Sequence, residues 1–547
     1  MKIIQISFIA LILFTGCKKQ LDITNTNEPS PESAATEAGV ISLSTGAIYR
    51  NGFYDLKYTD GVYGRFWSGA TGFHEMMGDI IGVEAANAYI NQIGCPNKVT
   101  LDNASVLLNP SAVNTQYALL RSVNVNSQSG SNPAFYEWAY MYNMIVAANT
   151  IIDLAGKASF SGADAASKKA TVNAWAFWWK GYAYARIGSL YYAGIKQTAT
   201  FSDQTTNGNY LSKEAIIIES NNNFDACDAA LTSITSLTAY TAILGKIIPT
   251  FLQTGKGGVF SVAAWKRNIS TMKARNILVN NLATTLTSAQ WTSILNLTTN
   301  GIQSGDLIFT GRTNANGDFL GTTIADKVSS SATSTATYKL SERFVQDFKT
   351  GDKRYTNNIR NLNPGIGIFN QDRGNSFNTR FSLIDGGGGL IGVIVYSNTS
   401  TGANEITLCG TYEENELMKA EATMYLAGFS PASIISGMSM IDNVRNYQGA
   451  GLAPTVAATA VIAREELRKE RRIGLAFKGL SFYDARRWDM IDPTKSRTGC
   501  VLISGTAGVV NTNATINYGF LDYWDVPDNE LAYNPAASGS AAVKNPK

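Results

Sequence analysis

Histidine is almost missing from this chain: His74 is the single one among 547 residues. Its scarcity removes the Ser-His-Asp and Cys-His mechanisms unless that one ring serves, and every zinc site that needs two imidazoles. The nearest approach to a zinc-protease helix is His74-Glu75-Met76-Met77-Gly78, where glycine stands in place of the second histidine, so zinc hydrolysis is excluded as well. Charge is also sparse. Lys plus Arg number 45 against 42 Asp plus Glu, a balance of +3 with no basic tract long enough to follow a phosphate backbone. Nucleic acid is therefore not an expected partner. Neither Gly386–Gly389 nor Gly255-Lys256-Gly257 is followed by the residues of a phosphate cradle, and no cofactor or metal is called for. Cysteines are few. Cys95, Cys227, Cys409 and Cys500 could pair in three ways, but their wide spacing fits neither a disulfide framework nor a metal site, and buried free thiols are expected.

What is present is apolar material: 45% of the residues are hydrophobic, enough for at least one large core. At about 150 residues per domain the length would suggest three or four domains, unless a helical-repeat architecture spreads one core along the chain. The first apolar stretch, Ile3 to Phe14 after Lys2, falls short of the about 20 residues that span a bilayer and suits the apolar part of an export signal. It ends Leu13-Phe14-Thr15-Gly16-Cys17, which resembles the lipobox of bacterial lipoproteins, with Cys17 as the acylated first residue of the mature chain. Residues 1–16 are then a signal peptide and 17–35, polar and rich in Asn, Ser and Pro, a flexible tether; the folded body is expected over 36–547 as a single domain. A single acyl chain binds a membrane only marginally, so a stable anchor needs the several chains that lipoprotein maturation attaches.

Helical spacing dominates the body. Trp138, Met141, Tyr142, Ile145 and Ile152 make one stripe, and Trp175, Trp178, Trp179, Tyr182 and Arg186 make a second, with Ala174, Ala176, Ala183 and Ala185 small enough for close contact. Val262, Trp265, Ile269, Met272 and Val279 form a third, and Leu417, Ala420, Glu421 and Met424 a fourth. The pattern predicts a mostly α-helical, tetratricopeptide-like repeat scaffold of antiparallel helix pairs, joined by long loops with a few short strands. Aromatic residues off these stripes are the candidates for a ligand. Tyr54, Tyr58, Tyr63, Phe66 and Trp67 cluster in the loop-like YDLKYTDGVYGRFWSG, and rings exposed there could stack on sugar faces. Tyr63, Phe66 and Trp67 are the first choice for ligand binding, with Trp291 and Tyr338 next.

The C-terminal part carries the most distinctive pattern. In REELRKERR every residue from Arg464 to Arg472 except Leu467 is charged, which by itself suits a solvated helix face, but Ile473, Ala476, Phe477 and Leu480 form a helical stripe directly behind it and Phe482, Tyr483 and Trp488 continue the apolar character, so the segment is expected to pack into the body. ERRIGLAFKGLSFYDARRW, from Glu470 to Trp488, resembles the C-terminal hallmark of the SusD/RagB family of outer-membrane nutrient-binding lipoproteins. It departs from that hallmark at Gly474 and Lys478, where the family has Glu, and at Ser481, where it has Arg, which speaks against a local ion-pair network. The resemblance extends over FVQDFKTGDKRY, NELMKAEATMYLAG and YWDVPDNELAYNP, in family order. It implies a single SusD-like domain at the outer membrane, facing outward, that binds oligosaccharide and delivers it to a SusC-like TonB-dependent transporter without catalysis. A peptide-binding, RagB-like role is the alternative within the family. A surface glycan hydrolase, which needs only two carboxylates about 5 to 10 Å apart, and a purely structural adaptor are the alternatives outside it. A mature charge near zero points to a neutral saccharide.

Overall fold

In a computed structural model of the chain, the residues described are 34–50, 66–83, 89–128, 132–203, 206–312, 338–361, 378–384, 405–505 and 507–547. Cys17 and Tyr63 lie outside them, as do Tyr54 and Tyr58.

The apolar stripes fold as helices. The first and second become α1 (Phe135–Lys157) and α2 (Ala165–Leu190); α3 (Lys213–Thr232), α4 (Leu237–Ile247), α5 (Val262–Val279) and α6 (Ser288–Thr299) follow. After strands and short turns come α7 (Tyr412–Leu426), α8 (Pro431–Tyr447), α9 (Ala460–Gly474) and α10 (Ser481–Arg487). Ser or Thr hydroxyls at Ser212, Ser236, Ser261, Thr287, Thr411, Ser430 and Thr459 each accept a backbone N–H of the first turn, fixing where α3 to α9 begin. A cap of this kind contributes about 1 kcal/mol.

Packing follows chain order apart from α4, which lies on α2. α1 lies on α2 and α2 on α3; α5 touches α3 and α6, α6 touches α7, α7 touches α8, and α8 touches α9, the succession of neighbours expected of a tetratricopeptide-like scaffold. Gly181 lets α2 and α3 approach closely, since a Cβ there would stand 2.6 Å from the Phe224 ring. One cluster of buried apolar side chains runs from Val40 to Val526, and a smaller one fills the space between α5, α6 and α7.

The strands are short, and several pair across long stretches of sequence. β11 (Arg497–Ser504), β12 (Val509–Asn517), β2 (Lys98–Thr100) and β3 (Val106–Leu108) form a four-stranded antiparallel sheet in that order. Two-stranded pairs join β1 (Ile81–Val83) to β7 (Tyr338–Leu340), β4 (Ala193–Ile195) to β5 (Tyr210–Ser212), β6 (Thr310–Arg312) to β10 (Glu405–Thr407), and β8 (Ile359–Asn361) to β9 (Phe381–Leu383).

One expectation fails at the end of α9. The apolar stripe Ile473–Leu480 does not continue the helix: α9 stops at Gly474, and Phe477 and Gly479 take left-handed backbone angles, φ 64° and 71°. The buried carboxylate of Glu75 accepts the N–H groups of Phe477 (3.1 Å) and Gly479 (2.7 Å), satisfying donors that a turn here would otherwise leave unpaired. The charged run is a solvated face only in part: Arg464 and Glu465 are exposed, whereas Glu470, Arg471 and Arg472 are buried. The four cysteines Cys95, Cys227, Cys409 and Cys500 are free and buried, as the spacing suggested.

Candidate functional site

Buried charge fixes the framework. Glu470 accepts from Arg445 Nε (2.7 Å) and from both terminal nitrogens of Arg354, whose remaining bonds go to Asp352 and Gln448. Arg487 grips Glu421 through two nitrogens (2.6 and 2.8 Å) and gives its Nε to Asp484, which Arg471 also contacts. An ion-pair network therefore exists, contrary to the reading of Gly474, Lys478 and Ser481. It is centred on neighbouring residues of α9 and α10 and their partners on other helices: Gly474 offers its carbonyl to Gln448, Lys478 pairs with Glu413 at 3.2 Å, and Ser481 donates to the His74 carbonyl. His74 itself is a buried framework residue, its Nε2 2.9 Å from Glu137, which also accepts from Arg186. Burial pushes the His74 imidazole below its ordinary pKa against the pull of Glu137.

Two capped turns on this framework shape a cleft. Ser341 caps the short helix Glu342–Val345 by accepting the Arg343 N–H, and Asp352 caps Lys353–Asn358 by accepting that of Arg354 at 2.9 Å. Between and beside them opens a cleft of about 450 Å³ walled by Val345, Phe348, Tyr355 and Phe381. Phe348 and Tyr355 are half-buried, with ring centres 5.8 Å apart and planes inclined at 58°; Tyr355 and Phe381 stand 6.4 Å apart at 76°. Pairing of β8 with β9 sets Asn361 opposite Phe381 and so brings Arg380 to the rim. Arg380 spends its Nε and Nη2 on the buried Glu342 carboxylate, while its backbone N–H donates to Glu342 Oε1 at 2.6 Å. Its guanidinium carbon lies 5.5 Å from the Phe381 ring centre, and its Nη1 makes no bond to Glu342. The half-exposed Phe348 and Tyr355 rings, with the buried Phe381 and the oriented Arg380 guanidinium at the rim, provide what a sugar ring requires: apolar faces to cover its C–H groups and a fixed hydrogen-bond donor for its hydroxyls.

The sequence candidates fall elsewhere. Phe66 is fully buried, edge-on to Tyr140 at 5.4 Å, so its ring has no free face for stacking. Trp291 is buried in the smaller apolar cluster, stacked on Tyr425 at 4.5 Å, because its face of α6 packs against α7. The expectation of exposure is corrected for both. Trp67 begins a π-helical turn, Trp67–Thr71, and Tyr338 opens β7 opposite Val83; their side chains are outside what the structure describes. Sequence reasoning missed Phe348, Tyr355, Arg380 and Phe381 as ligand candidates. FVQDFKTGDKRY was noted only as a family motif, although Phe344 and Phe348 four apart, with Tyr355 beyond a Gly351-Asp352 turn, gave an aromatic signal.

With the fold and cleft in place, the architecture is that of a helical-repeat scaffold. No family model matches the sequence, and no curated protein matches it. Solved structures do. A SusD-like carbohydrate-binding protein from Bacteroides fragilis superposes with a TM-score of 0.57 at 15% identity, covering 92% of this chain and 99% of that one. A SusD-like carbohydrate-binding protein from Bacteroides vulgatus gives 0.53 at 13%, covering 93% and 98%. A structure solved with xylogluco-oligosaccharide gives 0.53 at 11%, covering 92% and 99%. The chain has the SusD-like fold.

Proposed function

We propose that this chain is an outer-membrane lipoprotein, anchored through Cys17 and facing the outside, that binds oligosaccharide and passes it to a SusC-like TonB-dependent transporter without cleaving it. The observation that carries the reading is the likeness, over more than nine-tenths of both chains, to proteins described as carbohydrate-binding. The aromatic cleft supports it, since a volume of about 450 Å³ falls in the range of small-molecule sites and its wall supplies stacking faces beside Arg380. The signal-like N-terminus and the family motifs of the sequence support the surface role.

Screening the full chain, in detergent, on an oligosaccharide array tests the reading, with Tyr355→Ala run in parallel. Wild type binds a defined set of saccharides. Tyr355→Ala weakens them about tenfold, the loss of one stacking contact, while its melting temperature moves by only about a few degrees because the ring is half-exposed. Chromatography of the ligand after long incubation returns it at its original length. Shortened products would favour the hydrolase, and peptide binding in place of saccharide binding would favour the RagB-like role.

A further inference from the structure

Gln346 lines a second cleft besides the aromatic one, of about 430 Å³. Its amide is pinned, donating to the Gly499 carbonyl and accepting the Val501 N–H at 3.0 Å. Charge in this second cleft does not balance. The buried Asp347 accepts from three guanidiniums, Arg472 at 2.7 Å, Arg468 at 2.9 Å and Arg497 at 3.1 Å. Burial would raise its pKa, yet Arg497, Arg472 and Arg468 outweigh burial and hold it at about 2. Among the described residues Glu465 is the only other acid on the cleft wall, and it serves Arg468 (2.7 Å) and Lys469 (3.7 Å). The next carboxylate inward, Asp79, is taken by Arg343 and the Tyr518 hydroxyl. On the cleft wall three cations, Arg468, Lys469 and Arg497, thus meet two carboxylates, one of which, Asp347, is already neutralised from behind by the buried Arg472; among the described residues Arg497 Nη1 has no acceptor. A local positive surplus therefore remains on the wall, in a chain whose whole balance is only +3. It also departs from the neutral ligand that the overall charge suggested.

Resting on the saccharide-binding reading, we propose that this cleft receives an anionic substituent of the bound saccharide, a carboxylate or a sulfate. Gln346 borders both clefts, so one oligosaccharide can lay a ring on the Phe348–Tyr355 wall and its acidic group in the second cleft. The Lys469 ammonium and the exposed hydroxyls of Ser496 and Thr498 make the direct contacts. Arg468 and Arg497, largely covered and fixed on Asp347, supply a positive field focused by the low-dielectric walls.

The test uses the full chain in detergent on an array carrying matched neutral, uronate-bearing and sulfated oligosaccharides, read at low and at high salt. Lys469→Glu is the variant of choice because Lys469 lies at the surface and holds no buried partner, so its melting curve should match wild type. Acidic members bind best, weaken as salt rises, and lose about tenfold in Lys469→Glu, while neutral members are unaffected. The uronate and sulfate arms distinguish the two kinds of anion. Neutral oligosaccharides bound as tightly as their acidic counterparts, or acidic binding unchanged in Lys469→Glu, would overturn the proposal and leave saccharide binding standing. Wild type that binds no saccharide of any kind overturns both.

Discussion

The core around α2 and the core around α9 and α10 differ in what fills them. Around α2 the filling is aromatic: Phe309 lies among Trp175, Trp178, Trp179, Phe260 and Trp265, with ring centres 4.7 to 5.8 Å away. Around α9 and α10 it is ionic, with Glu421, Glu470, Asp484, Arg354, Arg471 and Arg487 all buried. Dispersion and apolar burial are non-directional, so the first core depends on volume and tolerates exchange of one apolar shape for another. A buried ion pair depends on its partner, because removing one side leaves a charge that can neither reach water nor be neutralised in place. The two regions should therefore lose stability to very different extents on the most conservative substitution each allows.

The largest effect belongs to the ionic core. Glu470→Gln keeps the shape and removes one charge, leaving Arg354 with Asp352 and Arg445 with Glu466 and Asp442. The expected loss is about 3–5 kcal/mol, a large part of the stability of a folded domain. Chemical denaturation measures it, and a loss under about 1 kcal/mol would mean that the network contributes little beyond packing.

Next comes Glu75, a buried carboxyl of the same region that has backbone N–H groups for partners in place of a guanidinium. Burial raises its pKa to about 7, against the pull of the Phe477 and Gly479 N–H groups. Its folded value lies above the unfolded 4.5, so its contribution is fully present below pH 4.5 and lost as pH rises through about 7. The loss amounts to about 3 kcal/mol, and Glu75→Gln should remove that step from a plot of stability against pH. Asp347 has the opposite sign. Held at about 2 against an unfolded 3.8, it stabilises above pH 3.8 and its contribution disappears as pH falls through about 2.

This contrast also marks what could be read from the sequence. Helical stripes follow a local period, so α1, α2, α5 and α7 were visible in the spacing of Trp138, Trp175, Val262 and Leu417 and their neighbours. The ionic core has no period. Arg354 and Glu470 are 116 residues apart, and nothing local tells a buried Glu470 from the exposed Glu465 on the same helix. The break after Gly474 was hidden for the same reason, since its N–H partner Glu75 comes from some 400 positions earlier, as the separation of 402 between Glu75 and Phe477 shows. The aromatic cleft combines Phe348 and Tyr355 with Arg380 and Phe381 through β8–β9 pairing. Off-stripe aromatics such as Phe66 and Trp291 looked free only because their packing partners, Tyr140 and Tyr425, are distant in sequence.

In the aromatic and aliphatic core a conservative exchange should cost much less. Ile145 is fully buried in α1, and Ile145→Val removes one methylene without stranding any polar group. The expected cost is about 0.5–1.5 kcal/mol, read from the same denaturation experiment. A cost comparable to that of Glu470→Gln would erase the distinction between the two cores.

The smallest effect separates charge from burial. Lys157 and Asp153, one turn apart on α1, stand 2.6 Å from each other, the same distance as Arg487 from Glu421. The first pair has side chains 63% and 39% exposed, the second 0% and 0%, so distance is held constant while the surroundings change. In water the Coulomb attraction is screened and the long side chains lose rotamer freedom to meet, whereas buried partners have no solvent to replace one another. A double-mutant cycle on Asp153 and Lys157 should give a coupling of about 0.3–0.5 kcal/mol that fades with added salt. The same cycle on Glu421 and Arg487 should give several times more and respond little to salt. Equal couplings would place the stability of the α10 region in the packing of its side chains and not in their charges.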